Sequence, residues 1–361
     1  MLFVYRLSYL LLTMAISAGS PAIAKTLNTD SLYKVLKLAK HDTNEVNALN
    51  ALCDKQWKTA NYDSALAYAT RSQNLAEKIG FKKGLAVSFR CFGIIYMYKG
   101  DYSAAMDYHA RALAINTEIG NKQGIAANLG NMGLVYWTEG NYAKALEYDL
   151  KGLAMNEQIG AKAGIASNLG NIGNIYEDQN NYSKALEYYL KSLEIVEQLG
   201  DKIIIARNLG NIGTVYYDQD NMPKSLEYHF KALKIDQEIN DKNGVARNNG
   251  NIGNIYSNEK NFPKALEFDL KAVALYNEIG DKTGLAANLA NVGSVYMNEN
   301  EFKKAREYLD SATSLAKSIG DRYILKDTYR FLSELNRSTG DYKTSLQDYK
   351  NYIVYRDSLV N

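Results

Sequence analysis

The chain of 361 residues has few of the side chains on which catalysis, metal binding and cross-linking depend. It contains only two cysteines and three histidines, and it lacks the HExxH, CxxC, Walker and serine-elbow sequences. A nucleophile, a base or a metal cluster would have to be assembled from these few residues. We therefore expect no enzymatic activity, no metal ion and no cofactor.

Charge of one sign is also missing, because 42 basic residues face 40 acidic ones. This balance excludes the basic surface typical of proteins that bind nucleic acid, so no nucleic-acid partner is expected. Three prolines and 26 glycines in the whole chain suit long helices that are separated by short turns.

A long apolar run occurs only at the N-terminus. Arg6 precedes the apolar stretch Leu7–Ala18, and Ala22-Ile23-Ala24 has the small-x-small form of a cleavage site. The stretch is shorter than the ~20 residues that span a bilayer. We predict a signal peptide over residues 1–24, no membrane span after cleavage, and an exported protein that is periplasmic or secreted. The alternative is an uncleaved N-terminal anchor.

Cys53 and Cys91 lie 38 residues apart in a chain that we expect to be exported, where a disulfide is chemically possible. Both fall at or beside core-facing positions of successive first helices. The interpretation as two small buried thiols is favoured, because stacked repeats bury enough surface without a cross-link.

One nine-residue sequence recurs along the chain. It reads NLGNIGNIY at 168–176, and related sequences begin at Asn128, Asn208, Asn248 and Asn288, always 40 residues apart. A fixed period of this length is typical of a stacked repeat array. We predict an N-terminal capping helix over 25–45, seven repeats of 40 residues over 46–325, and a partial repeat or C-terminal cap over 326–361.

Each repeat is predicted to contain two helices. Leu169, Ile172, Gly173 and Tyr176 recur at the spacing of one helical face, and a second apolar stripe follows from Tyr182. Gly-Asp and Gly-Asn pairs fall between the stripes, where Gly suits the left-handed end of one helix and Asp or Asn caps the next.

These columns resemble the tetratricopeptide repeat. The small residue at Gly133, Gly173, Gly213, Gly253 and Gly293 with Tyr three residues later matches its first helix, and Tyr142, Ala145, Tyr182 and Ala185 match its second. The period is longer than the usual ~34 residues and is similar to that of kinesin light chains and of bacterial signalling proteins. The resemblance implies an all-α, right-handed superhelical solenoid whose concave groove is lined by first helices.

The candidate site is the groove face of the first helices, at positions opposite their core stripe. A column of amides runs along it, with two further amides one turn on; these are Asn131, Asn171, Asn211, Asn251, Asn291, Asn174 and Asn254. Amide side chains can pair with the backbone of an extended peptide. The alternative is that each Asn bonds to a neighbouring helix, and this stitching is the favoured interpretation for the second column, Asn128, Asn168, Asn208, Asn248 and Asn288.

Arg207 and Arg247 stand on the same face, where three other repeats have Ala127, Ser167 and Ala287. They could hold carboxylates of an acidic peptide, or they could pair with the groove acids Glu177, Asp178 and Asp218. Trp137 and Tyr217 near the groove could anchor an apolar side chain.

His109 and His229 occupy one column of the second helices, where Tyr189 stands in another repeat, and we interpret them as packed side chains rather than ligands. The sequence thus predicts a non-enzymatic scaffold that binds a protein or peptide. The alternative is the extracytoplasmic sensor region of a bacterial histidine kinase or transcriptional regulator, without its membrane helix and output domain.

Overall fold

The computed structural model of the protein describes residues 29–38, 40–59 and 61–359, and this part of the chain is helical without any strand. The predicted signal peptide lies outside the described residues. Seventeen helices follow one another within the described ranges. Their bounds are α1 Thr29–Leu38, α2 Thr43–Lys58, α3 Tyr62–Lys78, α4 Lys82–Tyr98, α5 Tyr102–Glu118, α6 Lys122–Thr138, α7 Tyr142–Gln158, α8 Lys162–Asp178, α9 Tyr182–Leu199, α10 Lys202–Asp218, α11 Met222–Glu238, α12 Lys242–Asn258, α13 Phe262–Ile279, α14 Lys282–Asn298, α15 Phe302–Ile319, α16 Arg322–Ser338 and α17 Tyr342–Asp357.

The turns between helices follow the predicted chemistry. Gly120 has φ of 64° and Gly140 has φ of 74°, so each ends its helix in the left-handed region. The next residue caps the following helix, as Asn121 does by accepting a hydrogen bond from the backbone N–H of Gly124. At Asn180, with φ of 57°, an asparagine takes the place of glycine in the same conformation.

The first helices begin about four residues earlier than the sequence pattern indicated. Repeats of 40 residues counted from residue 46 would begin at 206, whereas Asp201 caps α10, which begins at Lys202. The capping residue comes directly after the Gly and not at the first apolar residue. For the same reason the segment 326–361, predicted as a partial repeat or C-terminal cap, belongs to a full helix pair: α16 begins at Arg322 and has 17 residues, and α17 has 16.

The helices pair as α2 with α3, α4 with α5 and so on, and within each compact unit the second helix of a pair packs on the first helix of the next. One unit ends at Leu199 and the other begins at Gly200. Each is an all-α solenoid of stacked helix pairs. Ala145, Ala185 and Ala265 in the second helices are fully buried, which lets the paired helices approach closely.

The glycine of each first helix makes room for a large side chain of its partner helix. A Cβ added to Gly173 would lie 2.6 Å from Cε1 of Tyr189, and one added to Gly133 would lie 2.6 Å from Oδ2 of Asp149. The tyrosine three residues after the glycine does not fill this space at Tyr176, because its ring stacks on Tyr188 with centroids 5.5 Å apart.

Cys53 and Cys91 are both fully buried and unbridged, as the packing interpretation predicts. Cys91 Sγ lies 3.6 Å from Oδ1 of Asp54, which also pairs with the buried Arg90. Among the described residues, no helix has both the length and the apolar character needed to cross a membrane.

Candidate functional site

The predicted amide column lies at the edge of the packed interior rather than in open solvent. Asn131, Asn171, Asn211 and Asn251 are half-buried, and Asn291 is buried. The two amides one turn further on differ from each other, since Asn174 is buried and Asn254 half-buried.

Asn171 uses its amide to hold the neighbouring helix. Its Nδ2 donates to Oδ1 of Asp149 on α7 at 3.0 Å. Asn174 is engaged as well, since its Oδ1 lies 2.5 Å from the Tyr189 hydroxyl. At these two positions the geometry favours stitching between helices. Asn131 differs, because its buried Nδ2 has no partner among the described residues.

The second column, which we call the seam asparagines, is buried throughout: Asn128, Asn168, Asn208, Asn248 and Asn288. Asn168 donates to Asp149 at 3.0 Å and accepts from Asn156 at 2.8 Å. Asn248 donates to Asp236 at 2.8 Å. These contacts cross from one repeat to the next, so stitching is confirmed for Asn168 and Asn248.

Each glycine on the groove face costs its helix about 1 kcal/mol relative to Ala. At Gly250 the seam asparagine of the following repeat accounts for the glycine, because an added Cβ would lie 2.5 Å from Oδ1 of Asn288. At Gly130 an added Cβ would lie 3.4 Å from Nδ2 of Asn168, which is an ordinary contact, so the seam asparagine does not require glycine there.

Opposite the seam asparagines stands a column of buried ionisable residues, of which only His109, Tyr189 and His229 were predicted from the sequence to share one position of the repeat. His109, Asp149, Tyr189, His229 and Asp269 are all at most 1% exposed. Burial lowers the pKa of His109 to about 3 and of His229 to about 4, and it raises the pKa of Asp149 to about 7. Both imidazoles are therefore neutral, packed side chains, as predicted. The signal that could have revealed the aspartates is their spacing of 40 residues from the histidines.

Arg207 on α10 and Arg247 on α12 are half-buried on adjacent first helices. Their charge is opposed by a residue that the sequence analysis missed, the buried Asp236 of α11. Burial raises the pKa of Asp236 to about 6, and the positive charges of Arg247 and Arg207 act in the opposite direction.

Two of the acids proposed as arginine partners have contacts of their own. Asp178 accepts from Nε1 of Trp137 at 2.8 Å, and Glu177 lies 2.5 Å from the Tyr189 hydroxyl. Trp137 is only 5% exposed and its indole N–H is occupied by Asp178, so its ring has little surface left for a ligand. Tyr217 is half-buried and keeps the accessibility that an anchor needs.

A sequence profile described as tetratricopeptide repeat matches residues 84–158, 124–198, 164–238, 203–278 and 244–318, which together cover well over half of the chain. The chain belongs to the tetratricopeptide repeat family. None of the curated proteins compared with it matches.

Several solved structures share the fold of this tetratricopeptide repeat protein. The apo form of the quorum sensor NprR from B. thuringiensis is 15% identical, with 96% of this chain and 97% of that chain covered and a TM-score of 0.65. Aspartyl phosphate phosphatase F from Bacillus subtilis is 14% identical, with 91% and 89% covered and a TM-score of 0.65. The Rap conjugation gene regulator of plasmid pLS20, in complex with the Phr* peptide, is 12% identical, with 91% and 94% covered and a TM-score of 0.60. At these identities the likeness shows the fold alone.

On the groove face, the half-buried amides Asn211 and Asn251 can offer hydrogen bonds, and Arg207 and Arg247 can offer positive charge to a ligand. The described residues contain no group of three or more His, Cys, Asp or Glu side chains arranged to hold a metal ion. The buried histidines are shielded from solvent, so they are poorly placed to exchange protons with a bound molecule.

Proposed function

We propose that this tetratricopeptide repeat protein is a non-enzymatic scaffold that binds an extended peptide segment along the groove face of its first helices. The observation that carries the proposal is the pair of half-buried arginines on α10 and α12, beside the half-buried amides Asn211 and Asn251. Amides can satisfy a peptide backbone, and guanidinium groups can bind its carboxylates. Tyr217 would contribute an apolar contact.

Half-burial suits this role because a side chain that is partly shielded loses less conformational freedom when it binds. The Phr* peptide complex supports the proposal, because it is a peptide-bound protein of the same fold. The phosphatase among the similar structures shares only the fold, and an activity stated by its name does not transfer at 14% identity.

We further propose that the protein is exported, because of the charged, apolar and small-residue regions over residues 1–24. The sensor role remains the alternative within this proposal, and it differs in what the bound peptide controls rather than in where the peptide binds. Either role requires the same groove contacts.

The test is a selection from a phage-displayed random peptide library on residues 25–361, followed by calorimetry with the enriched peptide. The groove variant is Asn211→Ala with Asn251→Ala. Loss of two amide contacts predicts binding that is at least about tenfold weaker. The matched control is Lys231→Ala with Lys271→Ala, since both lysines are exposed and form ion pairs with Glu227 and Glu267 on their own helices.

Circular dichroism would establish that both variants remain helical. Equal affinity of the groove variant and the control would refute the groove as the binding face. Failure to enrich any peptide would refute peptide recognition.

A further inference from the structure

In the unit that begins at Gly200, the charges of two arginines act on one buried aspartate. Arg207 lies on α10, Asp236 on α11 and Arg247 on α12, which are three consecutive helices. Asp236 is 1% exposed, whereas both arginines are half-buried on the groove face.

The repeat period shows that this charge cluster is particular to one place in the array. At the positions equivalent to the arginines, four of the other repeats have Val87, Ala127, Ser167 and Ala287. At the positions equivalent to Asp236, the other repeats have Asn116, Asn156, Val196, Tyr276 and Ala316. The two arginines and the aspartate therefore occur together in the two adjacent repeats that contain α10, α11 and α12, and not elsewhere at these positions of the array.

The carboxylate of Asp236 is held in position by a hydrogen bond and by close packing. It accepts a hydrogen bond from Nδ2 of Asn248 at 2.8 Å, and a Cβ added to Gly244 would lie 2.4 Å from its Cγ. Neutral residues fill this place elsewhere, as Asn156 does against Gly164 and as the buried Val196 and Ala316 do in other repeats. Packing at this position therefore does not require a charge.

The groups that face Asp236 include positive, negative and neutral side chains. Arg207 from α10 and Arg247 from α12 are positive, and Asp241 before α12 is negative. On its own helix, His229 reaches the same Asn248 through Nδ1 at 3.1 Å and is neutral. Counted together with Asp241, the two arginines and Asp236 carry no net charge when Asp236 is ionised and one positive unit when it is protonated. The pKa of about 6 places this change just below neutral pH.

We infer that Asp236 sets the charge of the groove wall formed by Arg207 and Arg247, so that the wall accepts one carboxylate of a bound peptide and Asp236 takes up a proton as it binds. This inference rests on the proposed function for the identity of the ligand. A carboxylate brought to the arginines competes with Asp236 for their positive charge. By linkage, binding then favours the protonated form of Asp236, and acidification favours binding.

The test uses N-acetylglycinate, a monocarboxylate that stays ionised from pH 5 to 7.5. Binding is followed by the NMR signals of the arginine Nε–H groups in the full chain, assigned with Arg207→Lys and Arg247→Lys. We expect the Kd of the wild type to fall about tenfold from pH 7.5 to pH 5, as one nearby negative charge is lost. The Asp236→Asn variant should bind more tightly at pH 7.5 and should show no dependence on pH.

Glu238→Gln is the matched control, because Glu238 lies on the same helix but is exposed and pairs with Lys202 at 2.8 Å. Its Kd should follow the wild type at both pH values. If Asp236→Asn does not fold, carboxyl NMR of Asp236 in Arg207→Gln and Arg247→Gln gives a second measurement, and the pKa of Asp236 should rise in both.

Arginine signals that do not move, or an equal Kd at both pH values in the wild type, would overturn the inference. The two proposals fail separately. A pH-linked site for N-acetylglycinate without any enriched peptide would refute peptide recognition alone. Peptide binding in the groove without pH linkage would refute the role of Asp236 alone.

Discussion

Asp149 offers the most direct test of the buried column, because replacing it with asparagine removes its charge and little else. The carboxyl group is 1% exposed, and its Oδ1 accepts from both Asn168 and Asn171. An asparagine in this place can keep one oxygen in the same position. The Asp149→Asn variant should therefore preserve the acceptor while it abolishes ionisation.

The size and sign of the change in stability caused by Asp149→Asn follow from the pKa of the Asp149 carboxyl group. Burial raises the pKa of Asp149 from an ordinary value of 3.8 to about 7. Folded protein then binds more protons than unfolded chain between these values, so stability falls as pH rises from about 4 to about 7. The difference corresponds to about 4 kcal/mol above pH 7. Asp149→Asn should match the wild type near pH 4 and exceed it in stability by up to this amount at pH 8.

Hydrogen exchange read by mass spectrometry suits the measurement, because repeat arrays open locally and α7 and α8 can be followed on their own. We expect slower exchange in the variant at pH 8 and equal exchange near pH 4, after correction for the intrinsic rate. Glu147→Gln is the control on the same helix, since Glu147 is exposed and pairs with Lys151. A stability difference between Asp149→Asn and wild type that is the same at every pH would refute burial as the source of the effect.

Two further predictions concern the groove glycines and the buried histidines. A Cβ at position 210 would lie 3.6 Å from Oδ1 of Asn248, an ordinary contact, whereas at 250 it would lie 2.5 Å from Oδ1 of Asn288. Gly210→Ala should therefore raise the free energy of unfolding by about 1 kcal/mol, and Gly250→Ala should gain nothing or lose stability; equal urea midpoint shifts for the two would contradict this. His109 has its pKa lowered to about 3, so its contribution to stability is present above its unfolded pKa near 6.5 and is lost as pH falls from there toward 3. The melting temperature of His109→Phe relative to that of the wild type should therefore be higher at pH 4.5 than at pH 7.5. An equal difference at both pH values would contradict this prediction.

Helix positions and turn chemistry could be predicted from the sequence because both depend on local signals. The apolar stripe through Leu169, Ile172 and Tyr176 and the Gly-Asn and Gly-Asp pairs determine where helices run and end. The boundary error of about four residues arose because the turn, and not the first apolar residue, begins each first helix.

Side-chain roles at the seam were harder to predict because they depend on the following repeat. Asn168 and Asn171 are three residues apart on one helix, and the pattern of α8 alone indicates neither how deeply each is buried nor which partner it meets. Both turned out to meet Asp149, which lies on a different helix. The burial of Trp137 was missed for the same reason, since its indole N–H meets Asp178, which lies on the first helix of the next repeat.

The seam asparagines have a consequence for how the gene can change. An amide both donates and accepts hydrogen bonds, so one residue type suits either a neutral histidine or an aspartate on the facing helix. His229 meets Asn248, and Asp149 meets Asn168, through the same asparagine position of the period. Recombination that duplicates or deletes one of the 40-residue repeats between residues 109 and 288 would again bring a histidine, an aspartate or a tyrosine against an asparagine. The number of repeats can thus drift over evolutionary time without setting these ionisable side chains against an apolar neighbour.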